Sequence, residues 1–200
     1  PQAWKFARNK DWQSDVIDQS VADWPDFFAS RVVAPLWERG YRGFFLDTMD
    51  SYRLAAQFDE QAQQDGLVRV IETLHQRFPG IRLILNRGFD IVPRVRDKIE
   101  MVAAESLYRG WNARTQRYED VTPQDRAWLQ AQLRTIQQRD GLPVLAIDYA
   151  PPHDRALARA TAARIAADGF IPWVSDAALS TIGIGSIEPV PRRVLVVYNG

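Results

Sequence analysis

Short runs of β-forming residues alternate with longer amphipathic stretches along all 200 residues of the chain, and that order restricts the fold to α/β classes built on a parallel sheet. The spacing predicts strands over residues 15–18, 43–47, 82–86, 101–105, 144–148 and 170–174. Several are apolar on both faces, as strands buried between covering helices are. Helices are expected over residues 24–39, 59–77, 123–139 and 153–168, with a short one over 90–98. Asp23 before Trp24-Pro25, Thr122 before Pro123 and the Pro151-Pro152 pair before His153 mark helix starts, because these residues cap or pre-set a first turn. Gly40, Pro79-Gly80, Gly141 and Gly169 mark the ends.

A polar or acidic residue closes one strand after another: Asp18, Asp47, Asn86, Glu105, Asp148 and, slightly later, Asp176. In a β/α barrel all C-terminal strand ends open on one mouth, where the chemistry is done, whereas a doubly wound sheet uses only the ends beside its switch point. The expected architecture is therefore α/β, a (β/α)8 TIM barrel. Eight units take about 250 residues, so the six predicted strands imply one or two βα units missing from the N-terminal side. Residues 1–190 are read as this partial barrel. Residues 191–200, where Val194 to Tyr198 is an apolar run after Pro191-Arg192-Arg193, are read as a linker and the first strand of a following domain.

Lys plus Arg and Asp plus Glu balance at 25 each, with no run of one sign, which speaks against a nucleic-acid or anionic-membrane partner. No apolar run approaches the roughly 18 residues of a membrane span, and no signal peptide opens the chain. Cysteine is absent, which excludes disulfides, thiolate nucleophiles and Cys-ligated zinc. The two histidines, His75 and His153, lie far apart on helical stretches, so a His-based metal site is not expected. Gly183-Ile-Gly185 lacks the strand-then-helix context of a dinucleotide loop, and Ser51 and Ser106 have no histidine in a credible relation to them.

The remaining chemistry is carboxylate chemistry. Asp47 follows an apolar strand and Asp50 comes three residues later; each is either a mouth residue or a loop-tying cap. Glu105 closes the apolar run Met101-Val-Ala-Ala, and an acid there must be desolvated, paired or working. Burial raises a carboxyl pKa toward what a general acid needs. Glycoside hydrolysis takes two carboxyl groups flanking the bond. One strand separates those of Asp47 and Glu105, placing their backbones roughly 10 Å apart, which leaves both retaining and inverting spacings open. Asn86 and Arg87 are candidates to donate to sugar hydroxyls or to hold a carboxylate. Asp148 beside Tyr149, and Trp173, suit an amino sugar, the acid meeting an ammonium and the rings stacking on sugar faces. Tyr52 is read as a packing residue or a sugar contact, and Tyr108 with Trp111 as a wall of the cleft.

Four motifs stand in one order: Gly43-Phe-Phe-Leu-Asp47-Thr-Met-Asp50-Ser-Tyr52, Leu85-Asn86-Arg87-Gly88-Phe89, Ala104-Glu105-Ser106-Leu107 and Leu145-Ala-Ile-Asp148-Tyr149. At these residues, and over about residues 15–190, the chain resembles the endo-α-1,4-polygalactosaminidase glycoside hydrolases. The resemblance implies a β/α barrel attacking α-1,4-linked galactosamine or N-acetylgalactosamine internally, as in Pel-type exopolysaccharide of biofilm matrix. It implies Asp47 and Glu105 as the catalytic pair, a retaining outcome, and neither cofactor nor metal. It further implies a periplasmic or secreted protein whose partners are the polysaccharide, further domains of the same polypeptide and other polysaccharide secretion proteins. A different class remains as an alternative: a non-catalytic barrel that binds the polymer and guides it to a neighbouring modifying domain. A deacetylase lacks the histidine set such enzymes use.

Overall fold

The computed structural model of the chain describes residues 2–10 and 13–185; the strand expected at Val194 to Tyr198 lies outside them. The described residues form two compact units, one within residues 2–104 with 130–144 and the other of residues 105–129 with 145–185.

The first unit opens with an antiparallel hairpin of β1 (Lys5–Asn9) and β2 (Ser14–Ile17). The strand expected at residues 15–18 is thus half of a hairpin rather than a parallel barrel strand. Its partner, Lys5-Phe-Ala-Arg-Asn9, is short and charged and carries no apolar run to betray it. Asp18 is correspondingly a scaffold residue: its Oδ1 accepts from the Ser20 amide at 2.9 Å, the Ser20 hydroxyl at 2.6 Å and Gln63 Nε2 at 2.6 Å.

The helix expected over residues 24–39 is three consecutive segments, Trp24–Phe28, a π-turn at Ala29–Val33, and Ala34–Glu38. Pro35 explains the π-turn. Its ring would press on the carbonyl a turn earlier and it has no N–H to donate; widening the turn, so that the Ala34 N–H reaches back to the Ala29 carbonyl, accommodates it.

Strands β3 (Gly43–Leu46), β4 (Arg82–Asn86) and β5 (Met101–Glu105) run parallel, with Leu46 opposite Leu85 and Asn86 opposite Ala103. Helix Glu60–Arg77 returns the chain from β3 to β4. It starts where Asp59 Oδ1 accepts the Ala62 N–H at 3.0 Å, and buries a stripe including Leu67, Val70, Ile71 and Leu74. Gly66 on that stripe is required: a Cβ there would lie 1.9 Å from the Gln19 carbonyl oxygen. The short helix is Val92–Val95. His75, on the long helix, is half-buried, and its Nε2 lies 2.6 Å from the Lys98 carbonyl oxygen.

In the second unit β6 (Arg109–Asn112) and β7 (Arg117–Asp120) form an antiparallel hairpin that the sequence did not announce. Helix Pro123–Thr135 follows, its first half in this unit, and continues through a π segment, Ile136–Asp140, that belongs to the first unit. Its start is the expected one, with Thr122 Oγ1 accepting the Asp125 N–H at 3.1 Å. Strand β8 (Val144–Tyr149) is parallel to β9 (Ile171–Ser175), and β10 (Ile184–Gly185) is antiparallel to β9. Helix Arg155–Ala167 begins at Asp154, whose Oδ1 accepts the Leu157 N–H at 2.9 Å. Asp154 captures the cap because the Pro-Pro pair ahead of it supplies no side-chain acceptor. Among the described residues no helix is long and apolar enough to cross a membrane.

Candidate active site

In the first unit two post-strand loops interlock. Asp47 leaves the end of β3 exposed to solvent, and its Oδ1 accepts from Asn86 Nδ2 at 2.7 Å. Asn86 is 4% exposed at the end of β4, so the donor is fixed by burial and the carboxylate takes its orientation from it. The same asparagine accepts the Met49 N–H on its backbone oxygen at 3.3 Å, and the Arg87 N–H is tied to the Ala103 carbonyl at 2.8 Å. Asp50 and Arg87 meet at 3.9 Å, each about one-third exposed. Gly88, at φ +67, lets the second loop pass over Met49, whose Cβ would lie 2.9 Å from any Cβ at that position.

A cavity of about 390 Å³ opens beside Asp47. Trp24, Phe28 and Phe45 supply apolar wall, while Asp15, Thr48 and Ser51 supply polar groups. Phe45 is 44% exposed although it sits within a strand. An apolar wall with a few convergent polar groups is what a ligand pocket requires. The sequence reading assigned no role to Asp15, Thr48 or Phe45. Only the doubled aromatic Phe44-Phe45, one ring of which had to face away from the sheet's other neighbours, signalled it.

In the second unit Glu105 ends β5 half-buried. Tyr149, the last residue of β8, donates its hydroxyl to Glu105 Oε2. The Glu105–Ser106 peptide is cis. Beyond it, the N–H groups of Leu107, Tyr108 and Arg109 converge on the Asp148 carboxylate at 2.6, 2.8 and 2.9 Å. Asp148 is wholly buried. Burial pushes its carboxyl pKa up, and the three backbone donors together with Arg109 oppose that rise.

Three candidates from sequence are internal rather than on a sugar-binding surface. Asp148 faces backbone, not solvent. Tyr52 is 2% exposed and packs edge-on against Phe58. Tyr108 is 8% exposed; its hydroxyl donates to Asp168 and its ring lies 4.0 Å from the Arg164 guanidinium. Burial, then the Asp168 carboxylate, raises the Tyr108 hydroxyl pKa. Each has a local partner that uses its polar atom or its ring, and the sequence shows none of those partners.

Trp173 on β9 is half-buried and its indole lies over Gly183 and Gly185; a Cβ on Gly183 would come within 2.3 Å of it. The Gly-Ile-Gly stretch is therefore a seat for this ring. Trp111 and Tyr118 pair across the β6–β7 hairpin with ring centroids 4.8 Å apart, and the Tyr118 hydroxyl accepts the Ala177 N–H at 3.2 Å. Asp176 is 3% exposed. Burial alone would raise its pKa, but hydrogen bonds from the side chains and backbone of Thr181 and Ser180 outweigh it and hold the carboxyl at about 2. Asp176 thus ties its own loop.

The structure brings Asp47 together with Asn86, Asp50 with Arg87, and Glu105 with Tyr149. Within each unit, taken by itself, one strand-end carboxyl is oriented by a hydrogen-bond donor from the neighbouring strand end. Such groups can transfer a proton or stabilise a cationic carbon. Among the described residues no group of three or more His, Cys, Asp or Glu side chains is arranged to hold a metal ion.

A model of glycoside-hydrolase family GH114 matches residues 1–194. Among solved structures, the glycoside hydrolase domain of PelA from Pseudomonas aeruginosa is 38% identical, with a TM-score of 0.83 over 92% of this chain and 72% of that one. Ega3 of Aspergillus fumigatus, solved in complex with galactosamine, is 16% identical, with a TM-score of 0.66 over 92% of this chain and 70% of that one. That second likeness shows the fold. Both share the α/β, β/α-barrel class expected from the sequence. No curated protein sequence matches.

Proposed function

Because this chain belongs to glycoside-hydrolase family GH114 and is a glycoside hydrolase, we propose that it cleaves an α-1,4-linked galactosamine or N-acetylgalactosamine polymer internally, with Asp47 and Glu105 as its two carboxyl groups. The observation that carries the residue assignment is that Asp47 directly follows one parallel strand, Glu105 ends another, and each is oriented by one buried or half-buried donor, Asn86 for Asp47 and Tyr149 for Glu105.

In this mechanism Glu105 protonates the leaving oxygen while Asp47 attacks the anomeric carbon, and Glu105 then deprotonates the water that releases the sugar. The Asn86 amide holds Asp47 by one oxygen, so the carboxylate meets the anomeric carbon without first paying for its own orientation. The Tyr149 hydroxyl does the same for the acid. Asp50, Arg87 and Trp173 are the remaining candidates for sugar contact, the first two through charge and hydrogen bonding, the third through its ring. The retaining outcome and the amino-sugar substrate rest on the motif resemblance. So does export to the periplasm or beyond, with polysaccharide as the main partner alongside further domains and secretion proteins; cell fractionation tests the location.

The test is digestion of α-1,4-galactosamine oligomers and polymer, followed by product sizing and by NMR of the first anomer released. Shorter oligomers with the α-anomer first support the reading. Polymer that is bound but never shortened leaves the guiding-barrel alternative, and a β-anomer overturns Asp47 as nucleophile. Glu105→Gln and Asp47→Asn should each lower turnover by orders of magnitude while polymer binding stays within about threefold, because both act in the transition state rather than in the bound complex.

A further inference from the structure

Consecutive residues of a strand face opposite sides of the sheet, and β8 alternates strictly, Val144, Ala146 and Asp148 buried, Leu145, Ile147 and Tyr149 half-buried. Its last two residues therefore reach in opposite directions, yet both reach the same segment. Asp148 takes the backbone N–H groups of Leu107, Tyr108 and Arg109; Tyr149 takes the Glu105 carboxyl. Resting on the assignment of Glu105 as the acid/base, we propose that the end of β8 is a two-point clamp on Glu105 and that Asp148 is a positioning residue, not a sugar contact.

Three successive N–H groups pointing at one spot form a concave donor site that a two-oxygen anion fills. At 0% exposure, no sugar hydroxyl or ammonium reaches Asp148. An asparagine of the same shape would turn its NH2 group toward at least one of the three donors, leaving a buried N–H without an acceptor. The clamped residues lead into β6, which Arg109 opens, so the site where the chain turns from strand to hairpin is fixed from two residues beyond Glu105. Gly110 adds to this tightness, since a Cβ there would lie 3.2 Å from Ser106 Oγ. The side chain of the acid and the backbone just beyond it are thereby held by neighbouring residues of one strand.

Kinetics of Asp148→Asn, Tyr149→Phe, Glu105→Gln and the two doubles on galactosamine oligomers test the proposal. A charge-assisted bond lost at a positioning residue corresponds to roughly 10- to 150-fold, expected in kcat with KM within about threefold. In the Glu105→Gln background, where no acid remains to be positioned, adding Asp148→Asn or Tyr149→Phe should cost less than about threefold more. A rise in KM at unchanged kcat makes Asp148 a substrate contact, and losses that multiply in the doubles make it a general scaffold residue; either overturns the clamp. If Asp148→Asn does not fold, Tyr149→Phe, which removes one hydroxyl, carries the same cycle. Amide hydrogen exchange needs no substrate and separates the clamp from the enzymatic reading. Protection of Leu107, Tyr108 and Arg109 in the wild type supports the clamp even if no galactosamine polymer is cleaved, and rapid exchange there overturns it whatever the substrate.

Discussion

Replacing Gly66 by alanine puts one methyl group into the middle of helix Glu60–Arg77. On helix propensity alone the change should stabilise by about 1 kcal/mol. The structure predicts the opposite sign. The new Cβ would lie 1.9 Å from the Gln19 carbonyl oxygen and 2.4 Å from its carbon, both backbone atoms, so helix and segment must separate by about 1 Å or more before the contact is tolerable. What holds them together is Gln63, 2% exposed. Its Oε1 accepts the Gln19 N–H at 2.9 Å and its Nε2 donates to Asp18 at 2.6 Å. Overpacking costs about 1–3 kcal/mol, and a buried amide that loses partners about 1–3 kcal/mol more. After the propensity gain, a net loss of roughly 1–5 kcal/mol remains, or about 2–20 °C in melting temperature for a chain of this size. Thermal and urea unfolding followed by circular dichroism measure it. A Gly66→Ala protein as stable as the wild type, or more stable, would show that the helix does not sit on Gln19 and would refute the argument.

Asn86→Ala removes the donor to Asp47, and kcat/KM should fall roughly 10- to 100-fold; unchanged kinetics would mean that Asp47 does not depend on it. Arg87→Ala breaks a 3.9 Å pair that is one-third exposed, so stability should change by less than about 0.5 kcal/mol. Any larger loss of polymer affinity in that variant then reports sugar contact, read by isothermal titration. Asp176 has a folded pKa of about 2 against the ordinary 3.8. A depressed carboxyl stabilises above its unfolded pKa, so roughly 2 kcal/mol is present near neutral pH and disappears as pH falls from about 4 toward 2. Asp176→Asn should lose that increment at pH 7 and differ little from wild type at pH 2; a gap that persists in acid would assign the loss to packing instead.

The parallel strands were legible because apolar runs bounded by turn residues have one reading: residues 82–86 and 101–105 are strands at the expected bounds, and 43–47 ends one residue early. Asp47 and Glu105 were legible as strand ends for the same reason, an acid directly after an apolar run. Hairpins were not, since Arg109-Gly-Trp-Asn112 and Arg117-Tyr-Glu-Asp120 carry no apolar run. Their stability comes from pairs across the strands, such as Trp111 on Tyr118 and Arg109 on Asp120, which exist only once the register is set. Direction was equally hidden. Asp148 and Tyr149 are adjacent acid and aromatic, and nothing in the sequence tells which faces backbone and which faces Glu105. Tyr52 and Tyr108 looked like sugar platforms because a tyrosine suits either place.

The strict alternation along β8 also sets how this stretch can diverge between relatives. Inserting or deleting one residue between Val144 and Asp148 would turn every following side chain to the other face, delivering Ile147 or Tyr149, respectively, where three amides wait for a carboxylate. Substitutions in this strand can therefore accumulate but changes of length cannot, and an alignment that opens a gap there is misplaced. The exposed tip of the β6–β7 hairpin, residues 113–116, has no such constraint. Length variation in this part of the family should collect at that tip, leaving the number of residues from Val144 to Tyr149 constant.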